Sequence, residues 1–168
     1  MEEINQYFSQ LYEEYVRRIY RFVSLKVSSE EIAEDLSSEV FLRLFKHLKR
    51  PNSPIENPQA FLYQIARSVL ADHYRGRKVT ISIEKTTIEF EDTEENTRDM
   101  AETSLEMDRI RKALSELKDD YQDLIIWRYL DELTVPEIAQ ITGKKEENIR
   151  VGIHRAMQAL KGRMEDSE

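Results

Sequence analysis

Lys144, Lys145, Asn148, Arg150, His154 and Arg155 crowd into one short stretch, and together they form a set suited to nucleic acid. From Gly143 to Arg163 the chain carries six bases against two acids. Lys145 and Arg155 suit phosphates, which demand cations. An asparagine such as Asn148 can hold adenine by two hydrogen bonds, and an arginine such as Arg150 can hold guanine. Each such pair is worth about 1–3 kcal/mol of discrimination. Ile149, Ile153, Ala156, Met157 and Leu160 recur at helical spacing between these polar groups, so the polar set occupies the outer face of an amphipathic helix. Just upstream, Thr134-Val135-Pro136-Glu137 has the form of a capping box that starts a short helix carrying Ile138 and Ile141. Gly143 follows Ala139 by four residues, a small residue where two helices touch and then a glycine where the chain turns. That is the spacing of a helix-turn-helix, whose second helix enters a major groove. A plain helical hairpin with a solvated basic face is the alternative.

A second basic segment runs from Pro58 to Lys78, with four bases and one acid. The net charge of -8 does not argue against nucleic acid, because between Val79 and Asp108 ten acids face two bases while the rest of the chain is neutral. Nucleophilic and metal chemistry find little support. Cysteine is absent, and His47, His73 and His154 lie far apart without metal-ligand spacing. Asp72 and His73 are helix neighbours that point different ways, and no glycine loop cradles a phosphate. An enzyme is therefore not expected.

The elements that must position these groups read as helices. Ile4 to Val27 has one apolar face, and Ser28-Ser29-Glu30-Glu31 caps a second helix with Ile32, Leu36, Val40, Phe41, Leu44, Phe45 and Leu48 on its buried side. Pro51-Asn52-Ser53-Pro54-Ile55-Glu56-Asn57-Pro58 is a stiff loop with no helical option. Asn57-Pro58 then starts a third helix, which buries Phe61, Leu62, Ile65, Val69 and Leu70, reads Tyr63 as core, and ends at Gly76. Residues 79–104 read as an acidic tether, although the alternation at Ile81 and Ile83 also admits a strand. Helices resume at Leu105, and Trp127 is most simply a core residue. The expected fold is all-α: a helical domain over 1–78, a flexible acidic linker over 79–104, and a helix-turn-helix domain over 105–168. No apolar run approaches the roughly 18 to 20 residues of a membrane span. The acidic, polar start at Met1-Glu2-Glu3 is unlike a secretory signal, so a soluble cytoplasmic protein is expected.

Two blocks of the chain resemble the two domains of the extracytoplasmic-function (ECF) sigma factors of the sigma-70 family. Ala33-Glu34-Asp35-Leu36 through Phe45 resembles that family's polymerase-binding helix, and Ala60-Phe61-Leu62 through Arg75 its helix for the minus-10 element. Ala113 to Leu117, Glu137-Ile138-Ala139 and His154-Arg155-Ala156 resemble its minus-35 reader. Lys144 and Gly152 depart from the family's usual apolar residue and arginine. The resemblance implies promoter-specific initiation with core RNA polymerase and promoter DNA as partners, no cofactor, and an anti-sigma factor that is membrane-bound. It implies that Glu34, Asp35, Glu39, Phe41, Leu42 and Phe45 dock on polymerase. The loop with Asn52 and Ser53 would capture a flipped base, and Arg67, His73, Tyr74, Arg75, Arg77 and Lys78 would follow the strand, with Tyr74 a stacking surface. The acidic linker would occupy a basic channel of the polymerase. An autonomous helix-turn-helix regulator is the alternative, but it leaves the first 78 residues without a role.

Overall fold

The computed structural model describes residues 1–76 and 97–166, with side chains for all of these except 97–104. Every element among the described residues is helical. Arg77, Lys78 and the Ile81/Ile83 alternation lie outside the described residues. No described helix is long and apolar enough to cross a membrane.

The first half is a three-helix unit. α1 (Glu2–Lys26) and α2 (Glu30–Leu48) form a hairpin. Ser29 stops it from running on as one helix, because its hydroxyl accepts the Ile32 N–H at 3.1 Å, while Glu30 and Glu31 sit at the positive end of α2. α3 (Pro58–Arg75) starts where Asn57 accepts the Ala60 N–H at 3.1 Å and Pro58 supplies its fixed φ. Ile19, Phe22 and Val23 of α1, Val40 and Leu44 of α2, and Leu62 and Ala66 of α3 make the shared core.

The second half contains α4 (Thr97–Ser115), α5 (Asp119–Ile125), α6 (Val135–Thr142) and α7 (Glu146–Asp166). α5 continues into a π-helical turn at Ile126–Leu130. α4 begins at Thr97, eight residues before Leu105, where the sequence reading has helices resume. The polar composition of Thr97-Arg98-Asp99-Met100-Ala101-Glu102 hid this start, yet Arg, Met, Ala and Glu are all strong helix formers. Leu114, Ile126, Ile138, Ile149 and Ala156 are fully buried in this half.

The two halves dock through a joint core that sequence reasoning did not anticipate. The Trp127 indole stacks on Phe22 of α1 (5.7 Å between ring centres, 4° between planes) and meets Tyr63 of α3 edge-on, also at 5.7 Å. Around this aromatic centre lie buried charges. Lys26 donates to Asp123 and pairs with Asp119 at 2.7 Å, and Arg67 Nε lies 3.3 Å from the second Asp123 oxygen. Asp131 accepts from Tyr63 and from Arg21. Burial, reinforced by the Asp131 charge, pushes the Tyr63 phenol up and keeps it a donor.

Burial also dominates at Asp123, whose carboxyl rises to about 6 even though Lys26 and Arg67 pull it down. Between roughly pH 4 and pH 6 the folded chain therefore binds a proton that the unfolded chain has released, so stability falls as pH rises through that window. We predict a loss on the order of 2 kcal/mol across it, read as the difference between wild type and Asp123→Asn in urea melts at each pH. The same slope in both proteins contradicts the assignment.

Candidate nucleic-acid interface

The helix-turn-helix is built from local signals. Thr134 accepts the Glu137 N–H at 3.2 Å, and the Glu137 carboxylate returns the bond to the Thr134 N–H at 3.0 Å. These bonds, with Gln59 of α3 donating to the same carboxylate at 2.8 Å, hold Glu137 below the usual carboxylate range. The Ala139 carbonyl accepts the Gly143 N–H at 2.8 Å, and Gly143 takes φ 73°, a conformation that costs a non-glycine residue about 1–2 kcal/mol. The chain then enters α7.

α7 buries Ile149, Ile153, Ala156 and Leu160 and leaves Lys144, Lys145, Asn148, Arg150, His154 and Arg155 exposed on and before it. Arg150 is loosely paired with Glu146 at 3.6 Å. Gly152, where the resemblance leads one to expect arginine, does not face outward. A Cβ there would lie 2.8 Å from Leu124 Cδ1, so Gly152 is on the side of α7 that packs against α5. Lys144 lies outside the core on the solvent side of the turn.

The loop before α3 is shaped as its prolines require, with Asn52 in the left-handed region at φ 58° and exposed, and Ser53 half-buried. Beside it opens a cleft of about 680 Å³ lined by His47, Ile55, Glu56, Phe61, Gln64 and Gln140 among others, so it draws on both halves. Asn57 is both helix cap and donor to Gln140 of α6. Of the α3 groups, Arg67 is half-buried, committed to Asp123 and set 5.8 Å over the Trp127 ring. His73 is half-buried against Tyr74, whose hydroxyl donates to the Lys26 carbonyl, and Arg75 pairs with Asp72 at 3.1 Å. Sequence reasoning missed Gln59 and Gln64, which reach Glu137 and the Ile141 carbonyl (3.0 Å for the latter). Lone glutamines on a helix carry no signal for this.

On α2, Asp35 and Leu42 are exposed, Leu42 by 45%, while Glu34 and Phe45 are half-buried. Glu39 holds Arg43 at 3.0 Å. Phe41 is only 4% exposed and packs on Tyr12 at 4.9 Å, so it forms the floor of a groove between α1 and α2 and does not protrude. Phe8 joins that groove, 5.2 Å from Phe45.

The family model for sigma-70 region 2 matches residues 11–80, and that for sigma-70 region 4 matches residues 107–160. The ECF RNA polymerase sigma factor BldN of Streptomyces coelicolor is 32% identical over 156 residues. This alignment takes in 91% of the chain, which spans only 58% of that relative's length. The ECF RNA polymerase sigma factor SigM of Bacillus subtilis is 29% identical over 154 residues, 90% of this chain and 91% of that one. Among solved structures, CnrH in complex with the cytosolic domain of CnrY has the same fold. Its TM-score is 0.68 at 18% identity, over 98% of this chain and 91% of that one. The sigma factor RpoE of Bartonella quintana, in complex with the anti-sigma factor NepR, gives 0.64 at 20% identity, over 94% and 96%. The two regions stand in this chain in family order, one on each packed half, and the chain belongs to the ECF group of the sigma-70 family.

Proposed function

We propose that this chain is a promoter-specificity subunit of bacterial RNA polymerase, which binds the core enzyme and directs initiation at its own class of promoters. The observation that carries the reading is α7, a basic helix left open to solvent behind the tight Gly143 turn, in a chain whose other half leaves Asp35 and Leu42 of α2 exposed. The minus-35 element is read as duplex by α7. Asn148 and Arg150 meet base edges, Lys144, Lys145 and Arg155 meet phosphates, and His154 lies among them. The minus-10 strand is taken by the first half. A flipped base enters the cleft beside Asn52 and Ser53, and Arg67, His73, Tyr74, Arg75, Arg77 and Lys78 follow the backbone. Arg67 must leave Asp123 before it can reach a phosphate, so engagement of the minus-10 strand and separation of the two halves are coupled.

Polymerase docks on α2 through Glu34, Asp35, Glu39, Leu42 and Phe45, over the Phe41 floor. Its work places the protein in the cytoplasm, where an anti-sigma factor, itself membrane-bound, covers one of these faces until the inducing signal arrives. The acidic segment over 79–104 runs into a basic channel of the polymerase. No catalytic role is assigned to any residue.

Run-off transcription tests the reading. Purified chain and sigma-free core polymerase, on templates from the source genome, give discrete transcripts that vanish when either component is left out. A lack of transcripts together with a lack of core binding contradicts it. Two variants separate the faces. Leu42→Asp places a carboxylate in the docking face and weakens core binding about tenfold or more, measured by competition for labelled core enzyme. Arg150→Ala leaves core binding intact and lowers transcription at least about fivefold, and undiminished transcription contradicts its assignment.

A further inference from the structure

The face of α7 that points straight away from the core holds a residue whose chemistry is not that of a phosphate contact. At about 100° per residue, Ile149, Ile153, Ala156 and Leu160 centre on one direction, and Val151 stands roughly 170° from it. Val151 is 49% exposed, the one large apolar side chain of α7 so open to solvent among the described residues. Glu147 and Gln158 share its strip, about 40° and 20° away. Basic side chains border the strip, with Arg155 on one side and Lys161 and Arg150 on the other, and the His154 imidazole lies beside Lys161. The burial of Ile149, Ile153, Ala156 and Leu160 sets this roll, and Gly152 lies on the side towards Leu124.

Neither packing nor helix propensity accounts for a valine here. Its side chain has no core partner, and alanine favours a helix more than valine does. Seated in a major groove about 12 Å wide, Arg155 and Lys161 meet the phosphate walls and Arg150 turns in to a base edge, while the strip around Val151 meets the floor. Only one base offers an apolar partner there, thymine, through its C5 methyl group.

We infer that Val151 is a specificity-determining residue that reads a thymine methyl in the minus-35 element. This rests on the proposed use of α7 as the minus-35 reader and adds a base identity to it. A methyl group removed from water is worth about fourfold in affinity.

The test uses the full chain with core polymerase on the promoter recovered by run-off. Each thymine of the minus-35 element is replaced in turn by deoxyuridine, which keeps the base pair and removes only the methyl. Wild type loses about fourfold at one position, and Val151→Ala transcribes the thymine and uracil templates equally, at the wild-type level for uracil. The variant folds as wild type does, since the site is exposed and alanine favours the helix. A minus-35 element without thymine, no sensitive position, or full sensitivity retained in Val151→Ala overturns the inference. A scrambled minus-35 element separates the two levels. If it abolishes transcription while uracil has no effect, the α7 reading stands and the Val151 role falls; if it transcribes as well as the native element, both fall.

Discussion

A lysine with 2% of its side chain exposed reaches across from the end of α1 to a carboxylate buried in α5, and the joint between the two halves of the molecule is organised around that pair. Lys26 and Asp123 would each be costly to bury alone, and a lone buried charge left by removing its partner typically costs about 3–5 kcal/mol. They are tolerated together because Asp119 and Arg67 complete the set, and because Phe22, Tyr63 and Trp127 exclude water around them. The desolvation is still not fully offset, which is why Asp123 titrates near 6 and not near 4. A joint of this kind is specific in geometry but modest in net strength. Such a joint can hold one arrangement and still be opened at modest cost.

That arrangement divides the polar groups unequally. The α3 side takes part in the joint, with Arg67 on Asp123, Asn57 on Gln140, Gln59 on Glu137 and Gln64 on the Ile141 carbonyl. The outer face of α7 takes no part, and Lys144, Lys145, Asn148 and His154 stay exposed. The exposed strip of α2 around Asp35 and Leu42 is likewise open. The face proposed for single-stranded DNA is therefore partly satisfied within the chain, while the faces proposed for duplex DNA and for polymerase stay open to solvent. Separating the halves would expose aromatic surface and break buried ion pairs, a cost that the contacts proposed for polymerase and DNA would have to offset.

What the sequence made legible was local. The Ser29 and Asn57 caps, the capping box at Thr134 and Glu137, and the turn at Gly143 act within four residues of chain, and each stands where its spacing puts it. The apolar stripes of α1, α2 and α7 are equally local, and the all-helical class followed from them. What stayed hidden depends on distance along the chain. Lys26 reads as a last-turn cation and Asp123 as one acid among several near the start of α5, but their pairing joins residues 97 positions apart. Trp127 read as core, but not as core built by both halves. The start of α4 at Thr97 was missed because a helix rich in polar residues has the composition of a tether. Gly152 departs from the family's usual arginine, and only the packed structure places it on the side of α7 towards Leu124.

The most direct measurement is a footprint on promoter DNA, taken with the free chain and again with core polymerase present. The account predicts no protection by the free chain at concentrations that saturate the holoenzyme, and two protected blocks, minus-10 and minus-35, once polymerase is added. Equal protection of a single site by the free chain would contradict it, and would make the molecule an autonomous helix-turn-helix regulator.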